Sequence, residues 1–448
     1  MSQRIKISSV WTGLVVALLA LPAPLAAADA EGSTTLRELV RSAVATHPNV
    51  GYADTDIMRA QADVKLVKSA LLPKVDLNGT WWRFQEEQTL ELAPGEEFVL
   101  RPLEDWVWSA DIRQTLFTGL RDWRARDVAK LNRDIAELDR ITTINTLTLD
   151  VAAQYYSALA AREGVEVART ALEANEGQLG LTQRLFEVGE APVADVARWR
   201  SEVAGSKQRL VVAEGNYELA RRRLARLAGV PAIGALTTPA PIPAPRGDDQ
   251  QLLQEAINQR LEMVTLNNQL EAAGLMVKVE RGAFYPELEA GLQYLQQKAE
   301  FPSDSWASLF LTLRVPIYNG GLTKARVVKA KADVREVEWL QVQVTREIQD
   351  QVDSAAVTYR TAVAALEAAH ERNLAARQAY DQVERAYRVG EANAVDLLTA
   401  TTDAVDAANG EIIAKAQREY QAIALRYAIG MLPIPGLDLA QDSEDETP

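Results

Sequence analysis

Phe186-Glu187-Val188-Gly189-Glu190-Ala191 is answered later in the chain by Tyr387-Arg388-Val389-Gly390-Glu391-Ala392. Each copy interrupts a very long run poor in Gly and Pro, and each Gly is followed six residues on by an Asp, Asp195 and Asp396. The two glycines stand 201 residues apart, and so do Gly119 and Gly320, and Gly229 and Gly430. Three anchors in one register indicate a duplicated unit, and so long a period means two large half-molecules rather than a solenoid. A helix that ends in a left-handed residue wants Gly, so Gly189 and Gly390 read first as helix-ending turns.

Working outward from these turns, the run before Gly189 extends from about Leu120 to Val188 without a proline. Ile141, Ile144, Thr148, Val151, Tyr155 and Ala158 step by three and four, a seam of 3.5 residues. A helix of about 70 residues would reach roughly 100 Å. After the turn a second helix runs back over about Pro192–Leu227, with Pro192 suited to a first helical turn. The second half repeats this: Ile348, Val352, Ala355, Tyr359, Ala362, Leu366 and Ala369 carry the seam, and a return helix follows from about Asn393 to Ile429.

Each half also begins alike. A helix over 34–72 is capped by Ser33 or Thr34, kinked at His47-Pro48 and ended by Pro73; its counterpart over 250–284 ends at Tyr285-Pro286. Two stretches of period 2 follow in each half, at 75–84 and 106–117, then at 287–295 and 306–317. In 106–117, Trp106, Trp108, Ala110, Ile112 and Leu116 alternate with Ser109, Asp111, Arg113 and Thr115. A strand of about 10 residues with one apolar face is what crosses a membrane in a tilted barrel. Trp81, Trp82, Trp106, Trp108 and Trp306 cluster near strand ends, as membrane-interface aromatics do. The intervening acidic stretch 85–105 reads as a solvated loop, and 230–247 as an extended Pro/Ala-rich surface linker. The expected division is an export signal over 1–30, a first repeat over 31–229, a linker over 230–248, a second repeat over 249–432 and an acidic tail over 433–448. The return helix and the opening helix of the next half together match one long helix in length, so the two are expected to stack end to end beside it.

Composition narrows the class. Arg4 and Lys6, an apolar stretch Val10–Leu21 and a small-residue cleavage site mark the start as a secretory signal. The formal charge is −14, and −16 once residues 1–28, with Arg4 and Lys6, are removed, which argues against nucleic acid as a partner. An exported chain with 0 Cys has no disulfide scaffold. Beyond the signal no stretch offers a transmembrane helix. Four strands cannot close a barrel alone, and lipid does not tolerate an open sheet edge. Three chains would supply twelve strands, so spanning strands imply an oligomer, most simply a homotrimer. His47 and His370 are the only histidines and lie in different halves, and no Gly-rich phosphate loop is present. No catalytic residue, metal or cofactor is expected. Two other readings stand beside a membrane-spanning oligomer: a periplasmic coiled-coil adaptor or scaffold without a membrane barrel, and an exported hydrolase, which the lack of a catalytic constellation undercuts.

The duplicated order of elements resembles the TolC family of outer-membrane efflux and secretion channels. The resemblance is carried by His47-Pro48, Leu72-Pro73, Val315-Pro316-Ile317-Tyr318-Asn319-Gly320-Gly321, Val188-Gly189 with Asp195-Val196, and Tyr387-Arg388-Val389-Gly390 with Val395-Asp396-Leu397-Leu398. It covers nearly the whole chain after the signal. It implies a mainly α fold with a β-barrel part: a trimeric α-helical barrel crossing the periplasm below a 12-stranded transmembrane β-barrel in the outer membrane, four strands from each chain. It also implies that Val188, Gly189, Glu190, Val389, Gly390 and Glu391 form tip turns that contact a periplasmic adaptor (membrane fusion) protein. An inner-membrane transporter of RND or ABC type would supply the energy, and outer-membrane lipid would surround the strands. Asp396, Asp195 and Tyr387 would line the pore constriction. Each Asp also has a local reading as a first-turn cap, and Asn393 with Asp396 has the form of a capping box. Tyr387 matches the family's aromatic latch residue, whereas Ala392 and Thr399 stand where the family has a latching Arg and a second Asp.

Overall fold

The computed structural model describes residues 33–93, 96–298 and 304–432, so the expected export signal and acidic tail lie outside the described residues. The chain begins with α1 (Leu36–Thr46), capped by Thr35 in a reciprocal box with Glu38, one residue later than the sequence suggests. His47 takes an extended backbone and splits α1 from α2 (Pro48–Ser69), whose leading Pro needs no N–H partner. Four strands follow: β1 (Lys74–Arg83), β2 (Gln88–Ala93), β3 (Glu96–Arg101) and β4 (Glu104–Phe117). Then come the long α3 (Arg121–Glu187) and the returning α4 (Val193–Ala228). The second half comprises α5 (Asp249–Gln259), α6 (Leu261–Gly282), β5 (Glu287–Gln297), β6 (Ser305–Arg314), α7 (Leu322–Arg388) and α8 (Ala394–Ala428).

The duplication holds to the residue. α3 and α7 each span 67 residues, and both of their ends are 201 residues apart. Gly119 and Gly320 start them in matching left-handed conformations (φ 68° and 67°). Gly229 and Gly430 end the return helices in the same way. Before the long helices the offset is 213: His47, where α1 breaks from α2, corresponds to Arg260, where α5 breaks from α6.

Four expectations are corrected. The helix expected over 250–284 is two helices, because the Arg260 guanidinium is drawn into the core. There it pairs with Glu262 at 2.6 Å and reaches the Ala428 carbonyl at 3.4 Å. The acidic stretch 85–105 is not all loop: β2 and β3 pair in it as a hairpin, with Thr89 opposite Val99 and Leu90 opposite Phe98. The linker is extended but not superficial, since Ile233, Leu236 and Ile242 are buried in the first-half core. Its backbone carbonyls are taken up by Tyr155, Arg162 and Arg221. Finally, the short helices stack within a half rather than between halves. α4 meets α1 where Gly229 lies against Thr46, and α8 meets the α5–α6 break where Gly430 lies against Gln259 and Arg260. A Cβ at either Gly would collide with those neighbours, so both positions are fixed by close approach as well as by φ.

α3 is therefore flanked on one side by α2 above and α4 below, and on the other by α6 above and α8 below, while α7 packs against α6 and α8. Two cores result. The larger joins α1, α3, α4, the linker and Ile423 around Tyr155; the smaller joins α5, α7 and α8 around Ile348 and Val352.

Candidate functional site

The four-stranded sheet runs β1-β4-β5-β6 with antiparallel pairs throughout, which leaves β1 and β6 as free edges. The registers place Val75, Leu77, Gly79 and Trp81 of β1 on one face with Trp106, Trp108, Ala110 and Ile112 of β4. The same face carries Leu288, Ala290, Leu292 and Tyr294 of β5 and Ala307, Leu309, Leu311 and Leu313 of β6. This face is apolar across all four strands and bare: Leu309 is 82% exposed and Leu77 73%. Among the described residues nothing covers it, and an uncovered apolar band of this height is what lipid accommodates.

The opposite face is polar. Asp111 sits at its centre, accepting hydrogen bonds from Ser109 at 2.8 Å, Gln293 at 2.7 Å and Asn78 at 3.0 Å, so three strands converge on one carboxylate. Sequence alternation marked Asp111 as polar but gave no sign of this cross-strand cluster, because two of its three partners come from β1 and β5. Of the aromatics, Trp81, Trp106 and Trp108 lie on the apolar face, with Trp81 directly opposite Trp106. Trp108 covers Gly79, where a Cβ would meet its ring at 2.7 Å. Trp82 and Trp306 fall on the polar face, since each is one residue out of phase with the apolar set. No helix among the described residues is long and apolar enough to cross a membrane.

At the far end of the long helices the two turns have one geometry. Gly189 (φ 83°) sends its N–H to the Phe186 carbonyl at 3.0 Å, and Glu190 sends its own to Leu185 at 2.8 Å. Gly390 (φ 80°) and Glu391 do the same to Tyr387 at 3.1 Å and Ala386 at 2.8 Å. This is the paired hydrogen bonding of a Schellman ending, which satisfies the last carbonyls of the helix. Val188 and Val389 stand exposed beside them, 70% and 71% accessible. The returns differ. Pro192 is the N-cap of α4, one residue before its first helical turn, and offers no side-chain cap. Asn393 caps α8 through the N–H groups of Val395 and Asp396, and Asp396 returns a carboxylate to the Asn393 N–H at 3.3 Å. Asp195 instead pairs with Arg198 at 3.3 Å.

Just behind the tips the seam of α3 turns polar, which the periodicity did not foretell. Asn175, Gln178 and Thr182 are buried, as is Ser206 of α4, and Asn175 donates to Ser206 at 2.8 Å. The Thr182 hydroxyl gives its proton to the Gln178 carbonyl at 2.9 Å, so the Tyr387 hydroxyl 3.2 Å away is the donor to Thr182. That bond joins α3 to α7 next to the second tip. The structure thus brings Tyr387 to Thr182, and gives Asp195 and Asp396 local partners on their own helices.

An open strand wall on a long helical trunk with paired glycine turns defines the class: a membrane conduit protein. The family model for outer membrane efflux proteins matches residues 39–230 and 252–431. The chain is similar to the outer membrane protein TolC of Vibrio cholerae, 24% identical over 380 residues covering 82% of this chain and 83% of that protein. It is similar to CyaE of Bordetella pertussis, 26% identical over 419 residues, 90% of this chain and 86% of that one. The crystal structure of the outer membrane protein VceC from Vibrio cholerae superposes with a TM-score of 0.72 at 15% identity, over 88% of this chain and 96% of that one. The chain belongs to the outer membrane efflux protein family. Its place is the outer membrane, with the helical trunk extending into the periplasm, and its role is an exit duct for efflux or secretion.

Proposed function

We propose that the duct is a homotrimer, passive, and opened at its periplasmic tips by an adaptor protein coupled to an inner-membrane transporter of RND or ABC type. The observation that carries this reading is the bare apolar face shared by four strands whose two outer edges are unpaired. A free edge in hydrocarbon leaves backbone groups unsatisfied at several kcal/mol each, and twelve strands from three copies close the ring. Trp81, Trp106 and Trp108 sit at the lipid boundary, while Trp82 and Trp306 face the interior. Val188, Gly189, Glu190, Val389, Gly390 and Glu391 form the adaptor-contacting rim, with the exposed valines as anchors. Asp396 and Asp195 ring the constriction and favour cations, and the Tyr387–Thr182 bond holds the second hairpin inward until the adaptor displaces it. The domain division follows the repeat: the first half over 31–229, the linker over 230–248 at mid-height, and the second half over 249–432.

Planar-bilayer recording of the purified protein tests this. A low resting conductance with cation preference is expected. Thr182→Val should raise the conductance by freeing Tyr387, and Asp396→Asn should reduce the cation preference. A wild-type protein that inserts but conducts nothing, with both variants silent, would sink the gated-duct reading.

A further inference from the structure

The duplication makes the internal junction between the halves a template for a junction the single chain lacks. Within the chain, β4 of the first half pairs with β5 of the second so that Asp111 lies opposite Gln293 and Arg113 opposite Gly291. At the start of the long helix, Gly119 approaches Gly282 and Tyr285 so closely that a Cβ would stand 2.4 Å from the Gly282 carbonyl oxygen. Lower down, α3 meets α8 with Thr146 bonded to Tyr427 at 3.2 Å and Gly164 against Asn409. The corresponding elements at the outer flanks are β6 and α7 on one side, and β1, α2 and α4 on the other. All of them present exposed residues.

Carrying each internal contact forward by the repeat offsets, 201 for β4, α3 and α8 and 213 for α6 and β5, gives a definite answer. The strand registers check these offsets independently, since Lys74 opposite Arg113 in the first half maps onto Glu287 opposite Arg314 in the second. The Asp111–Gln293 pair becomes Thr312 opposite Thr80 of a second copy. The Gly119 contact becomes Gly320 against Ser69 and Leu72, and Gly320 has the matching φ with open space around it. The Thr146–Tyr427 contact becomes Glu347 opposite Arg226. One helical turn further, in the same antiparallel register, Asp350 falls opposite Arg223. All four are exposed, and among the described residues none has an ion-pair partner within the chain. A hydroxyl pair at the internal junction is thus replaced at the external one by two opposite charges.

We propose that neighbouring copies join through this repeat-templated seam, with β6 against β1 in the register that sets Thr312 opposite Thr80, and with α7 clamped to α4 by Glu347–Arg226 and Asp350–Arg223 at mid-height. The seam rests on the trimer reading above and adds its register and its selectivity: the charges on the two flanks disfavour any arrangement that sets like flanks together.

The chain has 0 Cys, so engineered thiols are the only ones present. Thr80→Cys with Thr312→Cys in one chain should yield oxidant-dependent, reductant-reversible covalent dimers and trimers in isolated outer membranes. Asn78→Cys with Thr312→Cys, two residues out of register on the same face, should yield roughly tenfold less, because its Cα atoms stand beyond bridging distance. Arg223→Glu with Arg226→Glu should lower the temperature at which the detergent-solubilised trimer dissociates, and adding Glu347→Arg with Asp350→Arg should restore most of the loss. A trimer that cross-links as well or better in the shifted pair overturns the register and leaves the trimer reading intact. Unchanged dissociation in the charge-reversed protein overturns the clamp. A wild-type protein that is monomeric in the membrane overturns both the seam and the trimer.

Discussion

The first half of the molecule buries what the second half leaves bare. α3 and α7 are the same length in the same register, yet α3 is flanked on both sides and α7 on one. Trp339 of α7 is consequently 74% exposed, and Val328 and Val357 stand out with it. The cores differ likewise: the Pro-rich linker enters the first-half core through Ile233, Leu236 and Ile242, and among the described residues the second core holds no such extended stretch. The two helices differ chiefly in place: among the described residues α7 packs closely against α5, α6 and α8 only. The lesson is that an apolar flank repeated from a buried position is an interface in waiting, not a solvent face.

The sharpest way to break this comparison is at the two helix breaks. Arg260 is a buried guanidinium serving Glu262, Gln351 and the Ala428 carbonyl, whereas its counterpart His47 only caps a helix by accepting from Asn49. Arg260→Leu should cost about 3 kcal/mol, by leaving the half-buried Glu262 carboxylate and the Ala428 carbonyl without their partner. His47→Ala should cost about 1 kcal/mol, the value of a cap. Unfolding in denaturant compares them, and equal losses would mean the breaks have one origin. The same site carries a pH signature. Burial pushes the Glu262 carboxyl up, but the hydrogen bond and charge of Arg260 outweigh it and hold it below its usual value. A depressed carboxylate contributes stability that is complete above its unfolded value and lost as pH falls through the folded one, so wild type should weaken in acid below about pH 4.5, and Arg260→Leu should lack this acid-dependent loss.

Next in size are the matched leucines. Leu224 and Leu425 occupy equivalent positions, 201 residues apart, and both are buried. Either one changed to Ala should lose about 2–5 kcal/mol, with Leu224 at the upper end because its cluster also holds the linker. A smaller loss at Leu224 than at Leu425 would contradict the ranking of the two cores.

The tips separate conformation from capping. Gly189→Ala and Gly390→Ala meet no neighbour within 4 Å, so each should cost only the left-handed backbone, about 1–2 kcal/mol, seen as faster amide exchange at Glu190 and Glu391. Asn393→Ala should cost about 1 kcal/mol at the second tip alone, because Pro192 at the first offers no side-chain cap to lose. Equal fraying at both tips in wild type would remove that asymmetry.

The smallest effect belongs to an exposed link between α7 and α8. Hydrogen bonds from His370 and then Asn373 hold the Glu411 carboxyl below its usual value. Its contribution is present above that usual value and lost as pH falls through the folded one. His370→Ala should shift stability by no more than about 0.5 kcal/mol, as expected for an exposed pair.

The parts that could be read in the sequence were those with a period or a punctuating residue. The 201-residue register, the glycine turns, the 3.5-residue seams and the alternating strands all announce themselves locally, and even the Asn393–Asp396 box is legible because its members are three residues apart. What was hidden depends on tertiary partners. The break at Arg260 has no proline to signal it and is set by groups 91 and 168 residues away. The β2–β3 hairpin was masked by its glutamates, which read as solvation although alternate positions suit a ladder. The burial of the linker turned on three aliphatic residues among prolines. Trp82 and Trp306 illustrate a finer limit: position near a strand end was visible, but the face followed only once the register was known.

Native mass spectrometry of the protein extracted from outer membranes in mild detergent tests the central claim most directly. The account predicts a single species of three copies that heat dissociates to monomers. A monomer, or an oligomer of another number recovered from the same membranes, would contradict it, because only three copies of this four-stranded sheet supply the twelve strands on which the proposed barrel depends.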